Sequence, residues 1–143
     1  MDTQTSKSAR TFGYWPSERC FRYKEEAMHN HAPQKTGIYE FVTFDEQQKP
    51  RVVFASLVTD TTIFKALFEH WEGQRQPAAQ SLLQTLPNLY FSYVVDSDAQ
   101  TPEDLRDLFY GIVQEDKPER TDPTEVKPTG RYSEIKVKDK SIL

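Results

Sequence analysis

The sequence has one cysteine, five isolated glycines and no apolar run long enough to cross a membrane, and each shortage excludes a class of protein. Cys20 has no second thiol with which to form an internal disulfide or a cysteine-based zinc cluster. Isolated glycines do not make a phosphate-binding glycine loop. Because the polar N-terminus has no apolar stretch behind it, we also expect no secretory signal. The sequence therefore predicts a cytoplasmic protein.

Positive charge is scarce in the middle of the chain. The formal net charge of the 143 residues is −4, but residues 37–116 alone sum to −8, whereas residues 1–36 and 117–143 sum to +2 each. A nucleic-acid surface must place Lys and Arg against phosphates, which an acidic body repels. We therefore expect no nucleic-acid partner for the central region, although the basic termini leave a non-catalytic nucleic-acid binder open as an alternative.

Composition divides the chain into three segments. Residues 1–16 are mostly polar and predict a flexible N-terminal segment. Residues 17–122 form the predicted domain, which begins with a helix at 17–30. Residues 123–143 belong to a proline-containing, charged region in which neither a helix nor a sheet core is expected. We interpret this part as an extended C-terminal tail.

Both terminal segments carry apolar side chains that are candidates for partner binding. Tyr14 and Trp15 end the N-terminal segment, and Tyr132, Ile135 and Val137 alternate with charged residues in the tail. This alternation favours a strand that adds to a sheet edge on this chain or on a partner, and a disordered tail remains the alternative. We expect a protein partner to contact these five residues.

The central region predicts a small α+β domain. Residues 38–44, 52–58 and 89–95 are rich in β-branched and aromatic side chains and predict three strands, of which the first two form a hairpin. Apolar residues at three- and four-residue spacing predict helices after Asp60, at 79–86 and after Thr101-Pro102. The expected fold is a small three-stranded antiparallel sheet packed with helices and flanked by extended termini.

Several of these elements resemble the GIY-YIG nuclease domain. The resemblance rests on Gly37-Ile38-Tyr39 in the first strand, on a helix that ends in Leu67-Phe68-Glu69-His70, and on a last helix that ends in Asp116-Lys117-Pro118. It covers about residues 36–122 and includes the order of the elements. It implies metal-dependent hydrolysis of phosphodiesters, in which tyrosines position the water, a helix arginine stabilises the transition state and a glutamate of the last helix holds the metal ion.

Most residues at the catalytic positions of that family differ here. Tyr39 matches the first tyrosine, whereas Phe54 stands at the place of the second without a hydroxyl group. The arginine position falls on Ala66, and the neighbouring Lys65 has no bidentate fork for a phosphate. The metal-binding glutamate position falls on Phe109, within the apolar stripe of the last helix. The resemblance therefore implies a domain that keeps the order of elements of the family but lacks most of its catalytic residues.

Three hypotheses on function follow. The first is a catalytically inactive GIY-YIG-like domain that acts as a protein interaction module or accessory subunit of a larger assembly, with no catalytic residue, no cofactor and no metal. The second is a divergent endonuclease that uses Mg²⁺ with Tyr39, Lys65 and Asp122. The third is the non-catalytic nucleic-acid binder with its basic termini.

Overall fold

The computed structural model describes residues 7–76, 80, 83, 85–86 and 88–141. In these ranges the chain forms an α+β fold with seven strands and three helices. In chain order the elements are β1 (Ala9–Pro16), β2 (Phe21–Arg22), α1 (Glu25–His31), β3 (Gly37–Phe44), β4 (Pro50–Val58), α2 (Ile63–Trp71), β5 (Tyr90–Ser97), α3 (Pro102–Asp116), β6 (Arg120–Asp122) and β7 (Glu134–Asp139).

All seven strands join one mixed sheet. Six of them lie in the order β6-β4-β3-β5-β1-β7, and β2 pairs with β5 outside this path. β3 is antiparallel to both β4 and β5, whereas β6 runs parallel to β4 and β7 runs parallel to β1. The predicted hairpin therefore lies in the middle of the sheet, and the two terminal strands β1 and β7 lie side by side at one edge.

The prediction of a small three-stranded antiparallel sheet with extended termini is wrong. The three predicted strands are present as β3, β4 and β5, but β1, β2, β6 and β7 extend the sheet on both sides. β2 and β6 are only two and three residues long, β7 alternates apolar with charged residues, and β1 contains Gly13 and ends at Pro16, so the sequence indicates these strands only weakly. Phe12 of β1 is fully buried, so the N-terminal strand contributes to the core.

Two of the three helices start at other residues than predicted. The helix predicted at 17–30 begins only at Glu25, because the residues of β2 pair with β5 instead. α2 follows Thr62 rather than Asp60, since Thr62 Oγ1 accepts a hydrogen bond of 3.1 Å from the amide of Lys65. The Thr101 cap of α3 is confirmed by the corresponding bond to the amide of Asp104. In the helix predicted at 79–86, residues 79, 81, 82 and 84 lie outside the described residues.

The sheet separates two apolar clusters. Tyr39, Phe41 and Phe91 belong to the cluster beneath α1 and α2, which we call the α2 face. Ile38 and Phe109 belong to the cluster beneath α3, which we call the α3 face. Consecutive residues of a strand point to opposite sides of a sheet. The order of residues in β3 therefore assigns each of its side chains to one of the two faces.

The C-terminal segment is fastened to α3 at two places. The buried carboxylate of Asp107 accepts hydrogen bonds from the Thr129 amide and hydroxyl, at 2.8 and 2.7 Å, and from Arg131 Nη2 at 3.0 Å. Farther along, β7 packs on Gly111, where an added Cβ would lie only 2.5 Å from Val137 Cγ1. Of the two alternatives for the tail, the structure has the strand, and it adds to the sheet of its own chain.

No helix within the described ranges combines the length and the apolar character required to cross a membrane. The longest of them, α3, has 15 residues and carries charged side chains from its first turn to its last.

Candidate functional site

The tyrosine that carries the resemblance is completely buried on the α2 face. α2 presents His70 on the same side as Leu67, three residues earlier, so the imidazole points into the core. The Tyr39 hydroxyl and His70 Nε2 are 2.5 Å apart. The rings of Phe41 and Phe54 pack edge-on against the imidazole, with centroids 5.4 and 5.2 Å from it. The pair is therefore enclosed by aromatic side chains.

Burial sets the protonation states of this pair. It raises the pKa of Tyr39, and the nearby Ser56 hydroxyl and the charge of Arg75 oppose that shift only in part. Burial also lowers the pKa of His70 to about 4, and the charge of Arg75 acts in the same direction while its backbone acts against it. At neutral pH the phenol is protonated and the imidazole is neutral, so Tyr39 donates its proton to the bond with His70.

Arg75 lies beside the pair in the turn after α2, and three carboxylates hold it. Its guanidinium is 2.9 Å from Glu69 Oε1, 3.4 Å from Asp60 Oδ1 and 3.7 Å from Asp122 Oδ2. Only 16% of its side chain is exposed. These contacts join α2 to the loop before it and to β6. Nη1 and Nη2 are engaged by Glu69 and Asp60, and Nε is buried, so the guanidinium has no exposed fork to offer to a phosphate group.

The structure brings together two of the three residues assigned to the nuclease alternative. Tyr39 and Asp122 both act electrostatically on Arg75, so they belong to one cluster. Lys65 lies on the exposed side of α2, whereas His70 lies on the buried side. The helix therefore points the lysine away from the cluster, and Arg75 is the cation that faces Tyr39.

Phe109, at the family position of the metal-binding glutamate, is 1% exposed and lies on the α3 face with Ile38. Ile38 and Tyr39 are consecutive in β3 and point to opposite faces. The sheet therefore separates Phe109 from Tyr39. A carboxylate at this position of α3 would face a different core and could not share a metal ion with the tyrosine.

The residues present do not fit the magnesium site that the resemblance implies. Mg²⁺ requires near-octahedral oxygen ligands, of which one or two carboxylates supply a part. Asp122 is engaged with Arg75, and the side chain at the glutamate position is a phenyl ring. In the part of the chain that the structure describes, no group of three or more His, Cys, Asp or Glu side chains is placed to hold a metal ion.

Sequence reasoning missed two neighbours of Tyr39. Ser56 lies directly opposite it in the β3–β4 ladder, which a correct register would have predicted. Arg75 follows Gly73 in an irregular turn, where no periodic pattern indicates which way a side chain points. The buried orientation of His70 could have been predicted from the sequence, because His70 continues the apolar spacing of α2.

Four of the five predicted partner-binding residues pack on their own chain. Tyr14, Ile135 and Val137 are partly buried against the α3 face, and Tyr132 meets Phe12 edge-on with ring centroids 6.1 Å apart. The fifth, Trp15, is 45% exposed at the end of β1. Among the described residues, the edge formed by β1 and β7 therefore presents one large apolar side chain, Trp15, to solvent.

Comparisons of the chain with protein-family models, with curated proteins and with solved structures give no significant match.

Proposed function

We propose that this chain is a catalytically inactive GIY-YIG-like domain that acts as a protein interaction module, as an accessory subunit of a larger assembly. The observation that carries the proposal is the closed state of the tyrosine site. Tyr39 and His70 are 0% and 1% exposed and are bonded to each other. A substrate phosphate must touch the groups that act on it, and the Tyr39 hydroxyl has no exposed surface for it to touch.

The order of the elements supports the first part of the proposal. β3, β4, α2, β5 and α3 follow one another in the sequence as the resemblance requires. The side chains that would perform the chemistry are absent from the arrangement, since an apolar ring occupies the carboxylate position and Arg75 is neutralised by its own chain. The function of such a domain must depend on residues at its surface that contact a partner.

The edge of the sheet made by β1 and β7 supports the second part. β1 and β7 lie side by side there, and β7 is the last strand in the order of the sheet. The outer main chain of an edge strand can pair with an extended segment of a partner. Trp15 lies at the same edge, and an exposed tryptophan is the kind of side chain that dominates binding energy at interfaces.

Affinity capture from native extract tests the proposal with two matched variants. Trp15→Ala removes the exposed ring at the terminal edge, and Trp71→Ala removes a ring of similar exposure, 41%, at the end of α2. We expect a stoichiometric protein partner that survives nuclease treatment, is lost with Trp15→Ala and is kept with Trp71→Ala. Equal capture by both variants, or release of the captured proteins by nuclease, would contradict the proposal.

The divergent endonuclease is a second candidate, because Tyr39, His70, Arg75 and Asp122 form one cluster. Cleavage of DNA that depends on Mg²⁺ and disappears in both Tyr39→Phe and Asp122→Asn would favour it. The same result would exclude the inactive domain. We expect no cleavage by the unmodified chain.

A further inference from the structure

A second polar cluster lies on the α3 face, in a cavity of about 230 Å³ between the sheet and the C-terminal end of α3. Its apolar wall includes Ile38, Val42 and Ile112. None of the described residues that line the cavity is Lys or Arg. The ionisable residues in the lining are Tyr14, Cys20, Glu40, Tyr93, Asp116 and Asp139.

Glu40 is the unusual member of this lining. Its Oε2 atom is buried, and no N–H or O–H group of the described residues reaches it. Burial raises its pKa well above the ordinary value, and the neighbouring carboxyl of Asp116 adds to that shift. A buried carboxylate oxygen without a donor costs free energy. The raised pKa includes a hydrogen bond between the Glu40 and Asp116 carboxyl groups, which share a proton. Apart from that proton, the described residues that line the cavity place no positive charge between the two groups.

The surrounding residues make the cavity more negative still. Asp116 ends α3, where the helix carbonyls carry a partial negative charge, and the last turn of this helix holds no basic residue. Asp139 Oδ1 accepts hydrogen bonds from the Ser141 amide and hydroxyl, at 2.8 and 2.6 Å. Asp139 therefore has donors from its own segment, whereas Glu40 and Asp116 have only the hydrogen bond between their own carboxyl groups.

We propose that this cavity binds the primary ammonium group of a small organic amine between Glu40 and Asp116. An ammonium group has three donors, so it satisfies Glu40 Oε2 and bridges the two carboxylates. The apolar wall receives the carbon chain of the amine. The volume is below the roughly 300–1,000 Å³ of sites for drug-sized ligands and well above the ~30 Å³ of one water, which indicates an amine of a few carbon atoms.

Titration with n-butylammonium chloride, followed by methyl NMR, tests this site directly. Ile38 and Ile112 line the cavity, so their methyl signals report on its occupation. We expect saturable shifts of both signals with n-butylammonium, and binding of the neutral 1-butanol weaker by at least about tenfold, because it lacks the charge. Equal binding of the two probes, or no saturable shift, would overturn the proposal without the need for any variant.

Two variants with the same change of charge assign the binding to the carboxylate. Glu40→Gln removes a charge inside the cavity, and Glu46→Gln removes one from the exposed β3–β4 turn. We expect Glu40→Gln to weaken n-butylammonium by about tenfold or more and Glu46→Gln to leave it unchanged. Equal weakening by both would show a general effect of net charge and overturn the proposal.

The affinity for n-butylammonium must also rise with pH as Glu40, whose pKa is raised by burial, loses its proton. The other ionisable groups that line the cavity with Glu40 are Asp116 of α3, Asp139 of β7, Tyr14 of β1, Tyr93 of β5 and Cys20 of the loop before β2. Burial raises the pKa of both Tyr14 and Cys20, which keeps these two groups protonated in the range where carboxyls titrate. A flat or falling affinity over that range would contradict a site made by carboxylates.

Discussion

Tyr39 and Glu40 are neighbours in β3 and enter opposite faces of one sheet. On the α2 face, the tyrosine hydroxyl donates to His70 Nε2 and burial keeps both groups neutral, so these two atoms satisfy each other. On the α3 face, Glu40 meets a second carboxyl group, with which it shares a proton, and its Oε2 atom has no further partner among the described residues. Burial of a polar group thus has two outcomes in this protein. A closed pair specifies the fold, whereas an incomplete one indicates a place for a ligand.

The residue that carries the resemblance and the residue that lines the proposed amine site lie on different faces of the sheet. The triplet that resembles a nuclease contributes its tyrosine to the closed face, where the side chain is inaccessible to solvent. The next residue, Glu40, belongs to no motif, yet it lines a cavity. The tyrosine of the triplet therefore belongs to the core, and its neighbour Glu40 is the residue that reaches a cavity.

Among the substitutions that test the difference between the two faces, Phe109→Glu is expected to reduce the free energy of unfolding most. It places a carboxylate at the family's metal position, inside the apolar cluster of the α3 face. We expect the free energy of unfolding to fall by about 3–5 kcal/mol, because the packing of the ring is lost and a charge is buried without a partner. Urea denaturation measures the change, and Mg²⁺-dependent cleavage is expected to stay absent.

Gln114→Glu is the control for Phe109→Glu, since it adds the same charge to an exposed position of α3. We expect its effect to stay within about 0.5 kcal/mol. If Phe109→Glu were as mild as this control and gained cleavage with Mg²⁺, the metal position would be functional. The assignment of Phe109 and Tyr39 to separate faces would then be wrong.

The predictable part of this fold is the part with strong periodic patterns. The hairpin, the third strand and the Thr101 cap of α3 follow from β-branched runs and from local capping chemistry. β1 and β6 could not be predicted, because they gain their stability from main-chain pairing with distant strands. The candidate site shows the same limit, since Arg75 is positioned by carboxylates from three separate segments.

Tyr39→Phe tests the closed face with a smaller change. The substitution removes one hydroxyl group and leaves His70 Nε2 buried without its donor. We expect the free energy of unfolding to fall by about 1–3 kcal/mol, the usual cost of an unsatisfied buried polar group. Tyr90→Phe is the matched control, because it removes a hydroxyl group from a half-buried tyrosine in β5, and its expected effect is within about 0.5 kcal/mol. Equal effects of the two variants in urea denaturation would mean that Tyr39 and His70 are not coupled.

We expect Glu40→Gln to change the free energy of unfolding least. The sign of this change shows whether the carboxyl group of Glu40 is stabilised or destabilised by its surroundings in the folded protein. The pKa of Glu40 is raised in the folded state, so the wild-type protein loses stability as pH rises from the unfolded pKa of about 4.3 through the folded pKa. The glutamine has no such loss, and we expect the variant to gain stability over the wild type as pH increases.

Asp107→Asn on α3 is expected to change stability with pH in the opposite direction from Glu40→Gln. Burial alone would raise the pKa of Asp107, but the bonds from Thr129 and Arg131 outweigh it and hold the pKa below its usual value. Its contribution to stability is present above the unfolded pKa of about 3.9 and is lost as pH falls through the folded pKa. We therefore expect Asp107→Asn to destabilise near neutral pH and to lose its effect in acid. Urea denaturation of both variants over a pH series measures the two slopes, and slopes of the same sign would mean that Glu40 is as well satisfied as Asp107.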